Sequence, residues 1–174
     1  MAGHQASNAK TRPLYTTEQK RVRDESVWTL VQGILAPVQF LVFLVSLGLV
    51  LRYLHTGEGQ SAATISIVIK TLTLYTIMIT GAIWEKVVFG VYLFAEGFYW
   101  EDMVSMLVLT LHTAYLVALF NGLLDPRALM LLALAAYATY VVNAAQFILK
   151  LRAARLQSAA EALANAGPAM EAAQ

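Results

Sequence analysis

Four long apolar runs restrict this chain more than any other feature. They extend roughly over Trp28–Leu51, Ala62–Val88, Asp102–Phe120 and Ala128–Leu149. A helix rises 1.5 Å per residue, so about 20 residues cross a hydrocarbon layer about 30 Å thick. Each run meets that length, and each is predicted to be helical because lipid cannot satisfy an open backbone. With 59% hydrophobic and only 13% charged residues among 174, the chain has too little charge to cover a soluble domain of this size. The expected fold is therefore all-α, an integral membrane four-helix transmembrane bundle over residues 28–149. A polar N-terminal segment, residues 1–27, precedes it, and an Ala-rich tail, residues 150–174, follows. The absence of cysteine excludes disulfides and thiolate chemistry. The net charge of +1 gives no reason to expect a nucleic-acid partner.

The connections agree with this division. HTGEGQS, residues 55–61, reads as a Gly-rich polar loop. NGLLDP, residues 121–126, reads as a tight turn whose Pro126 suits the start of the fourth helix. The tail is expected to continue that helix and to fray at Gly167-Pro168. The first 27 residues lack the apolar segment and cleavage site of a signal peptide. They carry Lys10, Arg12, Lys20, Arg21 and Arg23, and Lys86, Lys150, Arg152 and Arg155 fall on the same side of a four-span topology. Only Arg52 and Arg127 fall on the other. Positive charge collects on the inner side, so both termini are expected in the cytoplasm of a bacterial inner membrane.

Against this apolar background, WEKVVFGVYLFAEGFYWEDMVSMLVLTLH, residues 84–112, gathers Glu85, Lys86, Glu96, Glu101, Asp102 and His112. Acids at a helix end can sit in water, pair with Lys86, or face the helix macrodipole. A cluster in one short stretch points instead to a cytoplasmic mouth that uses carboxyl groups. Polar side chains also recur at helical spacing: Gln32, Gln39 and Ser46; Thr73, Thr76 and Thr80; Asp102, Ser105 and His112; Thr139, Asn143, Gln146 and Lys150. Such stripes commonly hydrogen-bond helices together. His112 lies about 15 Å along its helix from Asp102, at 1.5 Å per residue. It could give one hydrogen bond to a neighbouring helix or ligate a metal through one ring nitrogen. Lys70 is expected only to snorkel to the far surface.

Several classes are disfavoured, a quinone- or haem-binding membrane protein staying as a weaker third option. His4, His55 and His112 are too scattered for a zinc, di-iron or bis-histidine haem site. No nucleophile elbow, phosphate loop or dinucleotide fingerprint occurs. What remains suits a large, flat, apolar ligand with a polar edge, and acid–base chemistry upon it.

Three segments carry a resemblance: RPLYTTEQKRVRDESVWTLVQGILAPVQFLVFLVSLGLVLRYL, TGAIWEKVVFGVYLFAEGFYWEDMVSMLVLTLHTAYL and AAYATYVVNAAQFILKLRAARL. Together, over roughly residues 13–156, they resemble the 3-vinyl (bacterio)chlorophyllide hydratase family of bacteriochlorophyll biosynthesis. The resemblance implies a hydro-lyase that adds water to the C3-vinyl group of a chlorophyllide, giving a 1-hydroxyethyl group. It also implies no cofactor of the protein's own, since magnesium arrives with the substrate. The bilayer surrounds the protein, and other pigment-biosynthesis enzymes are candidate partners.

Chemistry and position then suggest roles. Glu85, Glu101 and Asp102, in that order, are candidates for the acid that protonates the vinyl carbon. Asp102, aided by Ser105, is the candidate to orient or activate water. His112 is the candidate axial ligand to the substrate magnesium. Lys86, Lys150 or Arg152 would bind the propionate, and aromatic side chains such as Trp84 and Trp100 would stack on the ring. The competing reading is a non-catalytic pigment carrier or assembly subunit.

Overall fold

The computed structural model describes residues 14–171, with side chains through residue 160. The expectations for Lys10 and Arg12, and for the last three residues of the tail, lie outside this range. Five helices form: α1 (Thr17–Glu25), α2 (Val27–Thr56), α3 (Gln60–Phe89), α4 (Tyr99–Phe120) and α5 (Pro126–Glu171). No strand occurs among the described residues. Four helices, α2 to α5, are each long and apolar enough to cross a membrane.

Local chemistry sets the helix ends. Thr16 and Gln19 form a reciprocal capping box that starts α1, a short helix within the polar N-terminal segment. Gly57 and Gly90 end α2 and α3 in the left-handed conformation, at φ 77° and 84°. Pro126 opens α5 as expected, and the Asp125 carboxylate caps it by accepting from the backbone N–H groups of Arg127 and Ala128. The backbone of α5 continues past Gly167-Pro168, where fraying was expected. The alanine-rich run before it has the highest intrinsic helix propensity.

The helices pack as two antiparallel hairpins, α2 with α3 and α4 with α5, joined along a seam. Phe43, Val50, Ile67, Val108, Met130 and Tyr137 form the main core. Polar stripes hold the helices in register. Gln32 Nε2 donates to Thr80 Oγ1 at 2.8 Å, tying α2 to α3. Ser46 bonds Ser66 within its hairpin and the Tyr137 hydroxyl across the seam. For these residues the helix-bonding reading holds.

A second, smaller cluster lies where α3 ends and α4 begins. Tyr15, Val88 and Phe98 are buried there, with Trp84, Phe89 and Phe147 packed on them. Residues 91–98 connect α3 to α4 across this aromatic floor.

Candidate active site

Four acidic or hydroxyl side chains meet beneath the α3–α4 connection. Glu85 lies in the last turns of α3. Glu101, Asp102 and Ser105 lie in the first turns of α4, and all four are buried. Glu85 and Asp102 face each other within hydrogen-bonding reach. The connection supplies donors to both. The Phe94 N–H donates to Asp102 Oδ2 at 2.7 Å, and the Ala95 N–H donates to Glu85 Oε2 at 3.4 Å. Phe94 reaches its position at φ 62°, a left-handed conformation that costs a non-glycine residue about 1–2 kcal/mol. That backbone strain aims an N–H at a carboxylate.

Two carboxyl groups in contact disfavour a second negative charge, and Asp102 accepts the shorter of the two backbone bonds.

The second layer is also polar. Lys150 Nζ pairs with Glu101 Oε2 at 2.5 Å and lies 5.1 Å from the Phe98 ring centroid. Asn143 of α5 donates to the Glu101 carbonyl at 2.9 Å and bonds the Ser105 hydroxyl through its side chain. Asn143 belonged to a recognised polar stripe, yet its role at this site was not foreseen.

Aromatic rings cluster where α3 ends and α4 begins. Trp84 donates its indole N–H to Thr29 Oγ1 at 2.9 Å and meets Phe89 and Phe98 edge-on. Tyr15 stacks on Phe89, and Arg23 lies over the Tyr15 ring. Burial pushes the Tyr15 phenol above its ordinary pKa, and the Arg23 guanidinium partly offsets this.

Other expected residues fall elsewhere. Trp100 is 70% exposed and points away from the acids. Lys86 Nζ donates to the Gly90 carbonyl at 2.6 Å, closing α3 rather than pairing with the acids. Arg152 is exposed. His112 is buried deeper in the bundle. Its Nδ1 contacts the Val108 carbonyl at 2.8 Å, and its buried Nε2 has no hydrogen-bond partner. With the proton on Nδ1, Nε2 presents a free lone pair, the usual state of a histidine metal ligand. No group of three or more His, Cys, Asp or Glu residues that could hold a metal ion occurs among the described residues.

The expectation for Lys70 is overturned. It is wholly buried rather than snorkelling. It lies ten residues beyond the start of α3, about 15 Å in at 1.5 Å per residue, too deep to reach that surface.

A family model described as 2-vinyl bacteriochlorophyllide hydratase matches residues 15–153. The chain belongs to this family. Its relatives include the 2-vinyl bacteriochlorophyllide hydratase of Rhodobacter capsulatus, 66% identical over 154 residues, covering 88% of this chain and 90% of that one. The protein of the same name from Cereibacter sphaeroides is 68% identical over 149 residues, covering 85% and 92%. No solved structure matches the chain. The family match runs from the Tyr15 aromatic cluster past Lys150, so it takes in the carboxyl pair, its loop donors, Asn143 and His112.

Proposed function

We propose that this chain is a membrane-embedded hydratase that adds water across the vinyl group of a bacteriochlorophyllide or chlorophyllide. The vinyl position is numbered 2 in the family's description and 3 in the macrocycle numbering used above. The product carries a 1-hydroxyethyl group. Membership of the hydratase family supports the reaction, and the facing carboxyl groups of Glu85 and Asp102 supply its proton chemistry.

The steps follow from that pair. Glu85 gives its proton to the terminal vinyl carbon, whose π bond supplies the electron pair. The cation left on the inner carbon is delocalised into the macrocycle. Water attacks that carbon, and a carboxylate takes the proton water releases. Asp102 is placed for this role, with Ser105 beside it to orient water. Overall, one water molecule is added and nothing is oxidised or reduced. The Phe94 and Ala95 N–H groups hold the carboxyl groups in place, and the aromatic walls exclude bulk water. General acid–base assistance of this kind contributes about 10² to 10⁴ in rate.

The substrate brings its own magnesium, and the free Nε2 of His112 fits an axial ligand to it. The protein needs no further cofactor for this reaction. Lipid surrounds α2 to α5, with both termini on the cytoplasmic side, as the distribution of Lys and Arg favours. The carboxyl pair then opens toward the cytoplasm. Other enzymes of pigment synthesis are suitable neighbours, since both substrate and product are too apolar to cross water freely.

The test is direct. The chain is expressed in a bacterium that makes no chlorophyll, and chlorophyllide a is added to its membranes. A gain of one water in mass, with a blue shift as the vinyl group leaves conjugation, is expected. Substrate bound and recovered unchanged would identify a pigment carrier instead.

A further inference from the structure

Lys70 is wholly buried in the apolar part of α3, and its Nζ has no hydrogen-bond partner among the described residues. It rests 3.7 Å from the centroid of the Tyr140 ring, which offers a π face but no acceptor oxygen to its N–H groups. An unpaired ammonium within a membrane span is costly, and such residues ordinarily face a partner or a substrate path.

A second unpartnered group stands near it. His112 Nε2 is also buried without a hydrogen bond, and it lies close enough to Lys70 to interact electrostatically. The two side chains abut Tyr140 and Tyr137, neighbours one turn apart on α5. Lys70 belongs to the α2–α3 hairpin and His112 to the α4–α5 hairpin, so they meet at the seam between the two. The seam thus holds two buried nitrogens, Lys70 Nζ and His112 Nε2, that have no hydrogen-bond partner among the described residues.

The lysines first considered for the substrate's carboxylate are committed elsewhere, Lys86 to the Gly90 carbonyl and Lys150 to Glu101. Lys70 is not. Its position also suits a molecule that extends to the acids. Tyr140 lies three residues along α5 from Asn143, which bonds Ser105, itself three residues from Asp102. These two steps of three residues amount to about 9 Å of rise from the Tyr140 level to Asp102, while along α3 itself Lys70 lies about 22 Å of rise before Glu85.

We propose that Lys70 binds the free propionate carboxylate of the substrate while His112 takes its magnesium, so that the enzyme selects the free acid over an esterified chlorin. This inference rests on the hydratase reading. The carboxylate supplies the counter-charge that Lys70 lacks, and a magnesium chlorin acid satisfies both orphaned groups at once. The ring reaches them by parting the seam, where the Ser46–Tyr137 hydrogen bond is a polar link between the hairpins. An ester offers neither the charge nor the small oxygen terminus, and leaves the ammonium unpaired in a closed site.

The experiment compares chlorophyllide a with the methyl ester of its propionate, on the wild-type protein and on Lys70→Met, in membranes. The wild type is expected to favour the free acid in kcat/KM by roughly 10- to 100-fold, the worth of a charged hydrogen bond. In Lys70→Met that ratio is expected to fall toward one, chiefly through a higher KM for the free acid. Equal use of acid and ester by the wild type overturns the assignment and leaves the hydratase reading intact, whatever the variant's folding. An unchanged ratio in a folded Lys70→Met protein overturns it equally. Hydration of neither form by the wild type overturns the hydratase reading itself.

Discussion

Glu85 and Asp102 come from different helices, yet each accepts a backbone N–H from the same connection, Asp102 from Phe94 and Glu85 from Ala95. The two carboxyl groups therefore face each other in a fixed arrangement that no loop motion is needed to assemble. In the proposed mechanism one proton between them would provide an acid and a base for the same alkene.

Replacing either carboxyl group should remove most of the proton chemistry. Glu85→Gln and Asp102→Asn are each expected to lower the hydration rate by about 10² to 10⁴. The double variant should be little worse than either single one, because the groups act as a unit. Initial rates at saturating chlorophyllide, normalised to folded protein, check this.

The magnesium contact makes a different prediction. The wild type should bind chlorophyllide a more tightly than its magnesium-free counterpart. His112→Phe should remove that preference while the mass of the hydrated product stays the same. Binding titrations by absorption, with both pigments on both proteins, measure it.

The Glu101–Lys150 pair is only partly exposed, with side-chain exposures of 10% and 25%. Lys150→Met leaves a largely buried carboxylate unpaired and should lower stability by about 1–3 kcal/mol. Adding Glu101→Gln should restore much of the loss. Thermal unfolding of the three variants in detergent tests the coupling, which should have the sign of a mutual partnership.

Asn143 joins two groups at once, the Ser105 hydroxyl and the Glu101 carbonyl. Asn143→Ala leaves the Ser105 hydroxyl and the Glu101 carbonyl short of a partner, at a cost of about 1–3 kcal/mol. Hydration should fall as well, because Ser105 loses the side chain that orients it. Asn143→Asp keeps the size but loses the donor, and it should also impair activity, which separates hydrogen bonding from packing.

The helices were legible because apolar run length is a direct physical requirement of a bilayer. Glu85, Glu101 and Asp102 were legible because acids are rare in so apolar a chain, and Ser105 because it lies one helical turn from Asp102. Other parts carried no such mark. Backbone N–H groups such as those of Phe94 and Ala95 have no residue signature, so the donors to the acids were invisible. Trp100 and Asp102 are two residues apart on a helix, about 200° around its axis. Sequence placed both at the site, but only one could face inward. Lys150 was assigned to the substrate because nothing in the sequence shows that Glu101 reaches it. Helix α1 could have been found, since Thr16 and Gln19 spell its capping box. The depth of Lys70 carried no mark because a lysine near a span end and one sealed between helices look alike in sequence.

The most direct test of the central claim follows water and proton together. Wild-type membranes and Glu85→Gln membranes are given chlorophyllide a in water labelled with heavy oxygen, and the product is examined by mass. The account predicts one labelled oxygen at the former vinyl group in the wild-type product, and hydration slowed by about 10² or more in the variant. Wild-type hydration that persists at full rate in a folded Glu85→Gln protein would contradict it.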